Sequence, residues 1–147
     1  ISGGTFETPR AYASGERTGG GFDEGFFVTH TARIRERTST PLMVTGGWRS
    51  RRAIRSAIDE GQVDLVGLAR PFVADPDSVT ALIEGRRDTV AAPEREAGAS
   101  VASRDVLDWF SWQLYLRATS GGTEPSLPIS AGARLYRARQ PVSPVRT

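Results

Sequence analysis

Two short apolar runs stand out along the chain, Leu42 to Thr45 and Val63 to Leu68, each bounded by turn residues. Runs of this length, the second mostly apolar with Asp64 near its start, read as short buried strands. Each run ends in a small-residue turn that carries an arginine: Gly46-Gly47 followed by Trp48 and Arg49, and Ala69-Arg70 ahead of Pro71. A helical period follows each turn. After the first, Ala53, Ile54, Ala57 and Ile58 fall on one face of a helix over 50–60, with Ser50 as its N-cap and Gly61 as its stop. After the second, Asp75 caps a helix with Pro76 in its first turn, Val79, Leu82 and Ile83 as its buried stripe and Gly85 at its end. Strand, turn and helix thus occur twice, and parallel strands joined by helical crossovers predict an α/β fold.

The flanks are less regular. Gly3-Gly4, Pro9, Gly15 and Gly19-Gly20-Gly21 make residues 1–21 a long loop containing Phe6 and Tyr12. Phe22, Phe26, Phe27, His30 and Ile34 recur at helical spacing and predict a helix of about four turns with an aromatic face. His30, on that face, reads as a core residue. Periodicity is lost over 88–104, a linker rich in Ala, Pro, Glu, Gly and Ser. Val106, Leu107, Trp109, Phe110, Leu114 and Tyr115 then predict an amphipathic helix over 105–118, and the prolines and glycines of 119–147 predict an extended tail, poorly ordered unless tied down. Two strands and a stub at Ile1-Ser2 cannot cover a parallel sheet. The chain also opens in a loop on isoleucine, so further strands are expected upstream of Ile1 or from a partner chain.

Composition narrows the chemistry. At 147 residues the chain suits one globular domain. It has no cysteine, which excludes disulfides, thiolate nucleophiles and cysteine-held metals; redox chemistry would need a bound cofactor. All 19 basic residues are arginine, which excludes a lysine Schiff base or P-loop lysine. A net charge of +2 is weak evidence for nucleic acid. Arg33, Arg35, Arg37, Arg49, Arg51, Arg52 and Arg55 crowd the first turn, favouring a small anion there, although most suit a solvated helix face. No apolar stretch nears the roughly 20 residues of a membrane span, and no signal peptide opens the chain. A cytoplasmic location is expected. Strand-ending turns with outward N–H groups and an arginine make a phosphate cradle, so Gly46, Gly47, Ala69 and Arg70 are the candidate site. Trp48 reads as packing. Taken alone, a Gly-Gly after a strand is only a tight turn, and an arginine before proline is often exposed.

Taken together, Ile1 to Glu7, Phe26-Phe27, Pro41-Leu-Met-Val-Thr-Gly-Gly-Trp-Arg-Ser50, and Asp64-Leu-Val-Gly-Leu-Ala-Arg-Pro-Phe-Val-Ala-Asp-Pro-Asp77 resemble the C-terminal part of the NADH:flavin oxidoreductase family, the old yellow enzyme relatives. The likeness continues through the Trp109 to Tyr115 helix and Gly121-Gly122-Thr-Glu-Pro125. It implies about strands seven and eight of a (β/α)8 barrel in residues 1–87, with FMN as cofactor and NADH or NADPH as hydride donor. By the resemblance, Gly46 and Gly47 offer backbone N–H groups to the FMN phosphate, Ala69 and Arg70 close it from the next strand, and Phe6 lies near the flavin or substrate. The family's flavin-ring contacts, carbonyl-binding pair and tyrosine proton donor lie in the other half of the barrel. Neither Tyr12 nor Tyr115 matches that donor, so no catalytic residue is expected here and the chain alone is expected to be inactive. The expected partners are the flavin, a small-molecule substrate and either a complementing chain or a second copy, with no nucleic acid and no membrane. The other reading is a non-catalytic half-barrel that binds phosphate or a partner.

Overall fold

The computed structural model describes Ile1, Glu24, Gly25 and residues 27–93 and 101–139. The two apolar runs lie side by side. β1 (Met43–Thr45) and β2 (Leu65–Gly67) form a two-stranded parallel sheet in the register Met43 with Leu65, Val44 with Val66 and Thr45 with Gly67. Both strands are shorter than the runs, and Asp64 fastens their entry. Its carboxylate accepts the Leu42 N–H at 2.7 Å, while its own N–H donates to the Leu42 carbonyl at 2.9 Å. The Leu42 N–H and the Arg35 guanidinium hold the Asp64 carboxyl below the usual aspartate range.

The helices between and after the strands start and stop on local chemistry. α2 (Arg51–Asp59) is capped by Ser50, whose hydroxyl accepts the Ala53 N–H at 3.2 Å. A short helix, η1 (Val28–His30), leads into α1 (Thr31–Arg35) ahead of β1, and α3 (Arg70–Ala74) follows β2 directly. Asp75 then caps α4 (Pro76–Ile83) by accepting the Ser78 N–H. Val44, Trp48, Ala57 and Val63 form the core beside the sheet, and Val79, Leu82 and Val90 a smaller cluster against Ile54 and Leu68. Each fully buried valine or leucine contributes roughly 1.5–3 kcal/mol.

The remainder is a helical hairpin. α5 (Ser103–Ser120) and α6 (Ile129–Arg139) pack Val106, Trp109, Phe110 and Ile129 around Ala74 of α3. Buried Gln113 ties the connection, its amide donating to the Glu124 carbonyl at 3.1 Å and accepting the Glu124 N–H at 2.7 Å. Asp108, also buried, accepts from Arg137 at 2.6 Å and from Arg104 at 3.3 Å.

Several expectations are corrected. The extended tail over 119–147 is a helix from Ile129 to Arg139, with Gln140 to Thr147 outside the described residues. Pro128 starts that helix, its carbonyl accepting from Ala131 and Gly132 at 3.0 Å. The linker over 88–104 gives Ser103 and Arg104 to α5, and Thr89 bridges to Ser50; residues 94–100 lie outside the described residues. The aromatic helix starts only at Val28, Phe22 and Phe26 being outside the described residues. Its first turn is 3₁₀, which rotates 120° per residue and shifts the stripe, so Thr31 is buried and His30 exposed. Ile83 is 75% exposed and Leu114 53%, against the buried faces expected of them.

Candidate functional site

The C-terminal ends of two parallel neighbours must emerge together, and here both turns face one pocket. It has a volume of about 160 Å³ and is lined by residues 45–49 after β1 and 67–71 after β2. Gly46, Gly47, Ala69 and Arg70 all lie in that lining. Gly46 and Gly47 have φ of +121° and +80°, a consecutive left-handed pair that only glycine adopts without strain. A Cβ on Gly46 would meet Phe27 at an ordinary 3.5 Å, so conformation and not space demands glycine there.

At the strand ends the requirement reverses. A Cβ on Gly67 would lie 2.0 Å from the Thr45 hydroxyl, so the bare strand backbone is what lets Thr45 close the pocket between β1 and β2. Trp48 is 2% exposed and donates its indole N–H to the Val44 carbonyl at 3.0 Å, which pins the first turn onto its own strand. On the second side, Ala69 precedes α3 and half-buried Arg70 opens it, with buried Pro71 fixing the first turn.

Arg49 is the residue sequence reasoning left out of the site. It is 6% exposed, lines the pocket and donates from its guanidinium to the Trp48 carbonyl at 2.6 Å. Its position directly after Gly-Gly-Trp was the available signal. The Arg49 and Ser50 N–H groups both donate to Glu24, at 2.6 and 2.7 Å. The start of α2 is therefore satisfied by the chain's own carboxylate and by Ser50, and an anion in the pocket would meet the Gly46-Gly47 and Ala69-Arg70 sides instead.

Other candidates lie elsewhere. His30 stacks on Phe27, with centroids 6.5 Å apart, and does not line the pocket. Tyr115 stacks on Trp112 in α5 beneath Arg139. Phe6 and Tyr12 lie outside the described residues. Among the described residues no group of three His, Cys, Asp or Glu side chains could hold a metal, and no helix is long and apolar enough to cross a membrane.

No family model and no solved structure matches the chain. It is 44% identical over 81 residues to the NADH-dependent flavin oxidoreductase iccE of Talaromyces variabilis, covering 52% of this chain and 20% of that protein. Over 128 residues it is 34% identical to the NADH-dependent flavin oxidoreductase iliE of Neonectria sp. (strain DH2), covering 80% of this chain and 17% of that protein. The iliE protein of Hypocrea jecorina (strain QM6a) is 33% identical over 81 residues, covering 52% and 20%. The chain thus spans about a fifth of the length of the curated relatives it matches. By this similarity it is a homologue of one part of the NADH-dependent flavin oxidoreductases.

Proposed function

We propose that this chain contributes the FMN phosphate site of an NADH-dependent flavin oxidoreductase, as the C-terminal part, about strands seven and eight, of a (β/α)8 barrel. The observation that carries the reading is the shared pocket: two adjacent parallel strands deliver a left-handed Gly-Gly turn and an arginine turn to one small cavity. Barrels of this kind commonly bind phosphate in the loops after their last two strands. β1 also has a neighbour on each edge. Its Thr45 N–H donates to the Ile1 carbonyl at 2.9 Å and its Met43 carbonyl accepts from Ile1 N, while Leu42 O accepts from Leu65 on the other side. An interior position in a wider parallel sheet accounts for that pattern.

The residues fit the phosphate end of the cofactor. A cavity of about 160 Å³ is smaller than the roughly 300–1,000 Å³ that encloses a whole small molecule, so it suits a phosphoryl group and not a flavin ring. Gly46, Gly47 and Ala69 supply backbone N–H groups without bulky side chains over the pocket, and the planar Arg70 guanidinium can grip two phosphate oxygens at once. When bound in a whole enzyme, the flavin supplies hydride transfer from NADH or NADPH to an activated alkene or related acceptor. This chain's own part is to bind and orient; none of its pocket residues is placed as a proton donor.

Titration of the ¹⁵N-labelled chain with inorganic phosphate tests the site. The Gly46, Gly47 and Ala69 amides are expected to shift, and Arg70→Ala to weaken the response about tenfold, the loss of a charge-assisted contact. FMN should compete for the same amides and riboflavin should not. Phosphate shifts confined to other residues would remove the assignment, and NADH-dependent reduction of an enone by this chain alone would overturn its non-catalytic role.

A further inference from the structure

The pocket is held from two sides that differ in what supports them. The Gly46-Gly47 side rests on β1, Trp48 and the Glu24 carboxylate. The Ala69-Arg70 side leads straight into α3, a helix of five residues, too short to hold itself. Its last residue, Ala74, is fully buried among Val106, Trp109 and Phe110 of α5 and Ile129 of α6. The buried apolar partners of Ala74 in that cluster all come from the C-terminal hairpin, with half-buried Val73 of α3 and Val101 packed against them.

The hairpin is rigid where it meets α3. Trp109 is fully buried and donates its indole N–H to the Leu127 carbonyl at 2.8 Å. Phe110 meets it edge-on, with centroids 5.0 Å apart and planes at 88°. Gly132 of α6 lies so close beneath the indole that a Cβ there would be 2.5 Å from Trp109 Cδ1 and 3.2 Å from Nε1. The ring is fixed on three sides and cannot yield to a new atom without losing its hydrogen bond or pressing on the Ala74 cluster.

We infer that the α5–α6 hairpin is the positioning element of the anion pocket: through Trp109 and Ala74 it sets the height of α3, and hence where Ala69 and Arg70 stand opposite Gly46 and Gly47. The inference rests on the phosphate reading of that pocket. Trp109, Gly132 and Ala74 are positioning residues, since they act through α3 and do not line the cavity. A hairpin that only added stability would leave the two sides of the pocket equally responsive to an anion; a positioning hairpin couples to one side alone.

Inorganic phosphate is the probe, followed at the Gly46, Gly47, Ala69 and Arg70 signals of the ¹⁵N-labelled chain. Gly132→Ala wedges the contact from the hairpin, and Ala74→Val wedges it from α3. Both are expected to raise the phosphate dissociation constant about tenfold, the loss of one charge-assisted contact, and to abolish the Ala69 and Arg70 shifts while those of Gly46 and Gly47 persist. Trp109→Phe keeps an aromatic ring but loses the bond to Leu127, and a weakening of roughly two- to threefold is expected from it. It stands in if a wedge variant fails to fold by near-ultraviolet circular dichroism. Leu114→Ser, on the exposed side of α5, should change nothing. Folded variants whose four signals respond as in the unaltered chain overturn the positioning role. No phosphate response in the unaltered chain instead overturns the pocket assignment, so the two failures are told apart.

Discussion

At the scale of single residues, the close contact of Gly67 with Thr45 makes a sharp demand. A Cβ 2.0 Å from a hydroxyl oxygen must push either β2 off β1 or Thr45 out of its rotamer. Gly67→Ala is therefore expected to cost about 1–3 kcal/mol in urea unfolding, as overpacked sites do. Adding Thr45→Ala should recover most of it, because the nearest remaining atom would be the Thr45 Cβ at 3.0 Å. Full additivity of the two changes would mean the contact is not the cause. Asp64 makes a different prediction. Its folded pKa is depressed, first by the Leu42 N–H and then by Arg35, so its charge stabilises the fold above the unfolded value and ceases to do so as pH falls through the folded one. Asp64→Asn should accordingly be less stable than the unaltered chain above about pH 4, with the gap closing in more acidic solution. A gap that widened on acidification would contradict the assigned direction.

At the scale of elements, turn chemistry was the legible part. Ser50, Asp75, Gly61 and Gly85 mark helix ends in the sequence and stand at those ends in the structure, because a cap needs only its own few neighbours. The pocket was legible for the same reason: Gly46-Gly47 and Ala69-Arg70 follow adjacent apolar runs, and parallel pairing places their turns together. What failed depended on distant partners. Gly121-Gly122, Pro125 and Pro128 mark a tail when read locally, yet Pro128 opens α6, in which Gly132 is the flat spot that admits Trp109. Gln113, polar within an apolar stripe, gave no sign that it would be fully buried against the Glu124 backbone. Gln113→Glu keeps the acceptor for the Glu124 N–H but faces its carbonyl with a carboxylate oxygen. It should destabilise the hairpin by about 2–3 kcal/mol, read as faster amide exchange in α5 and α6. Exchange altered equally in α2 would show that the hairpin does not open by itself.

At the scale of the whole molecule, the sheet is covered on one face and bare at one end of the other. Val44 is fully buried, whereas Met43 and Leu65, paired across the register on the opposite face, are 47% and 56% exposed. Parallel sheets are ordinarily covered on both faces, since their crossover helices and closed cores leave no apolar strand face in water. In the barrel reading these two side chains point toward the other strands of the barrel; among the described residues nothing covers them fully. Apolar neighbours of that size favour association, so sedimentation velocity of the chain is expected to show species that grow with concentration. Met43→Thr with Leu65→Thr places β-branched, strand-favouring residues at both positions and removes the apolar pair, and it should return the chain to a monomer with its melting temperature little changed. Association that survives the double substitution would locate the sticky surface elsewhere, on Phe72, Ile83 or Leu135, which are also exposed. Loss of folding together with association would mean instead that the strand pair is held by contacts between copies, and that β1 and β2 need a covering partner even to form.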